Sequence, residues 1–487
     1  MFLIQNKQMG IIKMIFNKNI KRLPALLLGV MLISTFFGCD KEIVEPTTVI
    51  EMHKGYSAQL TASSNNVEWR SDNTSVATVS SSGLVTAVGA GKAAIYTLSS
   101  KGKEDVVCYL EIFPKRNILF YIGAGEGGID DDAPDKIRQI REGWLPGKGE
   151  MIIYIDRVVQ GACLLRVNET KDADGIYGLD TLDVYGAENS ADSEVLSRVV
   201  NKMVVDYPAD SYGMIFFSHG SGWLPEGYLS NPRSLVIDKD NGGGKTNREM
   251  EYYDFAAAIP DKQFDFIILE ACLMADVMSM YELRNKAEYV LASSAEIVAP
   301  GFGGSRNYIT TETYKKEIMR LYDTKNDIKY VVSGFAKSYY DFIESNSDKS
   351  RNSCTTLGVL RMDEMSNLAS VTKSILRGQD IDEKNLTVSS IQSFDRPRES
   401  GLGGRPYSRY FDFAHVIENM VSVSDYKIFN DQMEKTVVWK ASTKEFLVNQ
   451  YGFYINRHSG LTTYIEQEVY PGLNQAYRNS SWYKAIR

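Results

Sequence analysis

Two apolar runs, each ending in a reactive residue, constrain this chain more than anything else in it. Tyr212-Gly213-Met214-Ile215-Phe216-Phe217 leads into Ser218-His219-Gly220-Ser221-Gly222-Trp223. Phe264-Asp265-Phe266-Ile267-Ile268-Leu269 leads into Glu270-Ala271-Cys272-Leu273-Met274. Short apolar, β-branched runs of this kind read as buried strands. An amphipathic helical pattern from Ala275 to Leu283 follows the second run. In open parallel sheets, ligands bind at the carboxyl ends of the strands. A histidine and a cysteine at such ends suggest a thiol nucleophile with an imidazole acid or base. A thiol attacks as thiolate, and its free pKa is about 8.5. A helix starting at Cys272 would favour the anion through its positive end.

The rest of the chain after Arg116 has the same texture. Asn117 to Gly123, Met151 to Ile155 and Tyr289 to Ser293 read as strands. Asp135 to Trp144 and Ser193 to Tyr207 read as helices. Strands alternating with helices imply right-handed crossovers and a mostly parallel sheet. From Thr311, helical patterns recur near Ile328 to Ile343, Met362 to Leu376 and Tyr410 to Met420. A β-rich piece follows, with Gly452 to Asn456 and Gly460 to Ile465, and Arg396 to Arg409 looks like a loop. At 487 residues the chain is too long for one typical domain. A net charge of −8 gives a nucleic-acid partner no electrostatic support. The five cysteines, at 39, 108, 163, 272 and 354, form no C-x-x-C pair, so no zinc signature exists. Cys108 and Cys163 are expected to be buried apolar residues. His415 and His458 read as structural.

The N-terminus has a different character. Lys13, Lys18, Lys21 and Arg22 precede an apolar stretch from Leu23 to Phe37, and Gly38-Cys39 closes it. The stretch is short for a membrane span and suits a secretory signal. A small residue before the cysteine resembles a bacterial lipoprotein signal, which implies removal of residues 1–38 and a lipid on Cys39. A linker over 39–45 would follow. From Pro46 to Pro114, short alternating runs are separated by Ser, Asn and Gly clusters, the pattern of an antiparallel sandwich. Val67-Glu68-Trp69-Arg70-Ser71-Asp72-Asn73, Val76-Ala77-Thr78-Val79 and Gly83-Leu84-Val85-Thr86-Ala87 resemble the bacterial Ig-like group 2 domain. The resemblance implies a spacer or adhesive module with Trp69 as core plug. His53 belongs to it.

The ordered pair of strand ends resembles the caspase-like fold shared by caspases, legumains and gingipains. His-Gly-Ser-Gly-Trp with Glu-Ala-Cys-Leu-Met looks specifically like the clostripain-like cysteine peptidases. The family's usual forms are His-Gly-Gly-Gly-Trp and Asp-Ala-Cys-Leu-Met. The resemblance covers residues 115–487, with a catalytic core over 115–310 and an extension over 311–487. The fold it implies is α/β, a mostly parallel caspase-like sheet flanked by helices, behind a small all-β Ig-like sandwich. It also implies that Cys272 is the nucleophile and His219 the proton-transfer residue, with backbone N–H groups of Gly220 and Cys272 as oxyanion donors. Glu270 matches the position whose carboxylate helps bind a basic P1 side chain, and Glu296 matches a second acidic position of that pocket. A carboxylate at the end of an apolar strand needs a partner. A salt bridge within the fold is the alternative for both.

Between the motifs lies the polar interval Leu224 to Glu251, with Asn241-Gly242-Gly243-Gly244 inside it. Members of the family can cleave themselves here after a basic residue, and Arg233, Lys239, Lys245 and Arg248 are candidates. A plain surface loop is the alternative. Asp130-Asp131-Asp132 and Asp238-Lys239-Asp240-Asn241 could hold calcium but lack EF-hand spacing, so no cofactor is required. The expected protein is a lipid-anchored endopeptidase of the cell envelope, periplasmic or at the cell surface. It would cut protein or peptide substrates after Arg or Lys, touch the membrane through its anchor and bind no nucleic acid. The rivals are a catalytically inactive adhesion lipoprotein and a transpeptidase of the same fold.

Overall fold

The computed structural model describes residues 48–62, 67–125, 127–228, 235–238, 248–298, 301–303, 311–345, 354–395, 408–448 and 452–487. The leader and Cys39 lie outside the described residues. The chain divides into two compact units. One runs through Arg116 and includes Leu145–Gly149; the other comprises Asn117–Trp144 and Glu150–Arg487.

In the first unit, strands β1 (Val49–His53), β3 (Glu68–Ser71), β6 (Gly91–Leu98) and β7 (Glu104–Phe113) form one sheet in the order β1-β7-β6-β3. Strands β2 (Ser57–Gln59), β4 (Ala77–Val79) and β5 (Leu84–Ala87) form a second, ordered β2-β5-β4. Period-two alternation sends Ile50, Met52, Ile95, Leu110 and Ile112 into a common core. Trp69 is not the plug of that core. It is only half-buried and packs against its edge. Its ring lies over Gly83, which has φ of +83°, and a Cβ there would sit 2.7 Å from the indole. Cys108 is fully enclosed, and burial pushes its thiol up to about 12.

The second unit is built on a nine-stranded sheet. Its strands are β8 (Arg116–Ala124), β9 (Met151–Arg157), β10 (Gly161–Lys171), β11 (Tyr177–Gly186), β12 (Ser211–Phe217), β15 (Phe264–Glu270), β16 (Ala287–Ala292), β17 (Thr356–Arg361) and β19 (Val437–Ser442). Among the described residues, three short pairs lie outside it: the hairpin β13 (Leu235–Asp238) with β14 (Arg248–Met250), β18 (Phe411–Asp412) with Thr462–Thr463, and Glu445–Phe446 with Phe453–Tyr454. The order in the sheet is β11-β10-β9-β8-β12-β15-β16-β17-β19. The centre is parallel, with β8 on β9, β12 on β15 and β15 on β16. Antiparallel strands extend both sides. The β9–β10 and β10–β11 links are too short for a crossover, so those strands can only return as hairpins. Cys163 sits on the half-exposed face of β10, not in the core as expected.

Helices cover both faces. Met214, Phe216, Ile267 and Leu269 share one core with α2 (Ser193–Asp206), α3 (Tyr252–Ala258) and α4 (Val277–Glu282). The alternate residues Phe217 and Glu270 meet Lys136 of α1 (Gly127–Gly143), on the face that also carries α5 (Thr311–Leu321) and α6 (Ile328–Ser345). The Asp192 carboxylate caps α2, accepting from the Glu194 N–H.

Helix α4 is shorter than its sequence pattern, because Ala275 is still in the turn that leaves β15. Asp276 caps the helix. Its two carboxylate oxygens accept from the N–H and hydroxyl of Ser279, at 2.8 and 2.6 Å. Full burial nevertheless raises the Asp276 carboxyl to about 7, against the lowering effect of these bonds. A carboxyl with a folded pKa above its unfolded value stabilises the fold while protonated. That contribution is complete below pH 3.8 and is lost as the pH rises towards 7. Asp276→Asn is therefore expected to flatten the fall in stability between these values. Chemical denaturation of both proteins across the pH range measures it, and equal slopes would refute the assignment.

Candidate active site

The register of β12 against β15 fixes the site. Phe217 pairs with Glu270, so the two chains leave the sheet side by side. Ser218 continues the alignment: its N–H points at the Glu270 carbonyl at 3.4 Å, and its hydroxyl donates to the Gly123 carbonyl of β8 at 3.0 Å. The next residue, His219, is half-exposed between buried neighbours. Gly220 then crosses against the cysteine turn. A Cβ on it would lie 2.7 Å from the Cys272 carbonyl oxygen and 3.0 Å from the Cys272 nitrogen. Only glycine lets the backbone of the histidine loop lie this close to the cysteine backbone.

Cys272 is half-exposed in an irregular turn, not at a helix start as expected. Helix α4 begins only at Val277, and it is six residues long. The environment of the sulfur is set instead by the segment after β16. Sγ accepts the Ile297 N–H at 3.2 Å and lies 3.6 Å from the Ile297 carbonyl oxygen. Both contacts come from the main chain of one residue, so they fix the position of the sulfur. Leu273 adopts a left-handed φ of 63°, and its N–H donates to the Ala295 carbonyl at 2.9 Å. Ala275 does the same to Ser293 at 2.9 Å. Gly222, also left-handed at 56°, packs beneath: a Cβ there would meet the Leu273 carbonyl at 2.5 Å. The Tyr410 hydroxyl ties this loop down by donating to the Ser221 carbonyl.

The two acidic residues have different surroundings. Glu270 is fully buried, and its Oε1 pairs with the Lys136 ammonium at 2.5 Å. The same oxygen accepts the Phe302 N–H, and Gly301 leaves no room for a Cβ against it. Of the two readings of Glu270, a pocket carboxylate or a salt bridge within the fold, the contact described is the salt bridge, with Lys136 as partner. Glu296 is half-exposed, one residue before the Ile297 that contacts Cys272.

Of the proposed self-cleavage positions, Arg233, Lys239 and Lys245 lie outside the described residues. Arg248 opens β14, paired in register with Asp238 of β13, so this interval is a hairpin at its base and not only a loop. In the first acidic run, Asp130 lies in α1 and is held by Arg157 at 2.8 Å. In the second, Asp238 lies in β13. Among the described residues, no cluster of three His, Cys, Asp or Glu could hold a metal ion. The other histidines have local partners. His53 lies 3.1 Å from the Pro114 carbonyl, His415 accepts from the Gln392 N–H at 3.1 Å, and His458 lies 3.3 Å from the Ser294 hydroxyl. Burial holds His458 neutral, down to about 3.

Lys136 and Ile297 escaped sequence reasoning. The signal for Lys136 was present: it falls on the buried stripe Ile129, Ala133, Ile140 of α1, where a cation demands a partner. Ile297 acts through its main chain and leaves no sequence trace.

Comparison with known proteins agrees with this geometry. The bacterial Ig-like domain (group 2) matches residues 44–109. Clostripain of Hathewaya histolytica is 30% identical over 134 residues, 26% of this chain and 25% of that protein, so the match spans about a quarter of that relative's length. The solved structure of an inactive zymogen C11 protease from Parabacteroides distasonis is 27% identical, with a TM-score of 0.63, covering 77% of this chain and 98% of that one. A secreted C11 cysteine protease from Bacteroides thetaiotaomicron, solved with an irreversible peptide inhibitor, is 26% identical, with a TM-score of 0.62, covering 76% and 98%. The family model of the clostripain family matches residues 129–480, which hold both strand-end motifs, and the chain belongs to that family.

Proposed function

We propose that this protein is a cysteine endopeptidase of the cell envelope that cuts after Arg or Lys. The observation that supports this most is the pairing of β12 with β15, with Gly220, the residue after His219, packed against Ala271 and Cys272. Cys272 attacks the substrate carbonyl, forming a C–S bond and a tetrahedral oxyanion. The N–H groups of Gly220 and Cys272 stabilise that oxyanion. His219 gives its proton to the leaving amine as the C–N bond breaks. Water then attacks the thioester carbonyl, giving a proton to the neutral His219, the C–S bond breaks, and Cys272 leaves as thiolate. No metal or cofactor enters this scheme. Since C–S bond formation needs the thiol and nothing else described can replace it, Cys272→Ala is expected to abolish peptide hydrolysis with the fold retained. Activity in the purified, folded variant would refute the reading.

Glu296 is the acidic group that supports basic P1 selectivity, being half-exposed and next to the residue that holds the sulfur. A charge-assisted hydrogen bond contributes about 1.5–3 kcal/mol. Glu296→Gln is thus expected to lower kcat/KM for Arg and Lys substrates about tenfold, while neutral P1 peptides change little. Loss of equal size on both classes would remove the assignment. Self-cleavage after Arg233, Lys239, Lys245 or Arg248 would sever the chain between the two strand motifs.

The basic-apolar-Gly-Cys leader supports lipidation of Cys39, with the Ig-like unit as spacer between the anchor and the peptidase. Secretion of the Bacteroides thetaiotaomicron relative is in keeping with this. If Cys39 is lipidated, the mature protein partitions into detergent, and Cys39→Ala releases it to the aqueous phase. Mature protein that keeps residues before Cys39 would contradict this.

A further inference from the structure

Lys136 is an unusual lysine. Its side chain is 1% exposed and that of its partner Glu270 is 0% exposed. Besides the carboxylate at 2.5 Å, the ammonium lies 4.5 Å from the Phe217 ring centre and 4.9 Å from that of Tyr314. One carboxylate and two aromatic faces form a dry cage for a primary ammonium. The cage walls come from α1, β12, β15 and α5, and Phe302 closes it from the segment after β16 by donating its N–H to the same Glu270 oxygen.

That oxygen connects the cage to the nucleophile in two ways. Glu270 precedes Cys272 by two residues on one strand end. Phe302 and Gly301 belong to the same inter-strand stretch as Ile297, whose N–H contacts the Cys272 sulfur. A substrate cation reaching Glu270 would set two cations on one carboxylate without water, where like charges repel strongly.

We propose that Lys136 is a built-in ammonium ligand of this cage, and that with Glu270 it acts as a positioning pair for the Cys272 turn and for Ile297 and Phe302. It takes the place of a basic P1 side chain at this carboxylate, which leaves charge selectivity to residues such as Glu296. The proposal rests on the peptidase reading for its kinetic consequences only; occupancy of the cage by an ammonium does not depend on it.

Chemical rescue in the full-length protein tests this. Lys136→Ala empties the cage and leaves Glu270 without its cation. The variant is expected to melt lower than wild type and to lose at least about tenfold in kcat/KM, equally on basic and neutral P1 peptides. Millimolar n-propylammonium or n-butylammonium should raise its Tm and restore part of its activity. Neutral 1-butanol should do neither, and wild type should respond to none of them. The melting readout remains decisive if wild type proves to have no peptidase activity. Should Lys136→Ala fail to fold, Lys136→Met with Glu270→Gln, which removes both charges together, should fold where either single change is poorer. Glu270→Gln alone should reduce cleavage of basic and neutral P1 peptides in the same proportion. Rescue by butanol as good as by the amine overturns the proposal. So does a Lys136→Ala protein as stable as wild type, or a Glu270→Gln loss confined to basic substrates.

Discussion

Everything at the strand ends depends on one parallel register, Phe217 opposite Glu270. Side chains alternate along a strand, so a slip of one residue would turn every apolar residue of β12 to the wrong core. Met214 and Phe216 belong to the core with α2, α3 and α4, while Phe217 faces Lys136. Packing on both faces therefore pins the register. The register in turn sets where the histidine and cysteine leave the sheet. The geometry of the two strand ends is thus a by-product of sorting apolar side chains onto two faces.

The second level of organisation is main-chain traffic above the sheet. Three chain segments lock together through four contacts: Gly220 on Cys272, Gly222 under Leu273, Ala295 above Leu273 and Ile297 on the sulfur. Each contact uses a backbone atom, and two need a glycine. A cysteine held by backbone groups from two neighbouring strand exits keeps its place without a large side-chain network around it. The departure of Ser221 from the family's usual glycine fits this scheme, because the crowded positions are 220 and 222, and Ser221 itself contributes a carbonyl to Tyr410.

The parts legible in the sequence were those carried by apolar period and by side-chain chemistry. The strands at 116–124, 211–217 and 264–270, the helices at 193–206 and 328–345, and the histidine and cysteine themselves all came from such signals. The β10–β11 hairpin did not. Its strands carry polar residues on a half-exposed face, so no apolar run announces them. The pattern from Tyr410 to Met420 promised one helix, yet Phe411–Asp412 forms a strand pair first, because Asp412 is needed as the cap of the helix that follows. Glu270 shows the limit most sharply. Its type and place pointed to a bound cation, and a cation is there, but residue 136 lies 134 positions away and only the fold brings it in.

The β13–β14 hairpin has a consequence for what a broken chain would look like. Residues 239–247 connect two paired strands, so a cut among them leaves β13 on one fragment and β14 on the other, still hydrogen-bonded. The larger effect is in the sheet. The fragment ending after β13 keeps β12, and the first strand that the other fragment gives to the large sheet is β15, its direct neighbour. The seam between the pieces would run through the middle of the sheet, where β12 and β15 are buried almost throughout. Neither half could present a finished surface to water. A nicked molecule would behave as an obligate heterodimer, in which separating the subunits and unfolding them are one event.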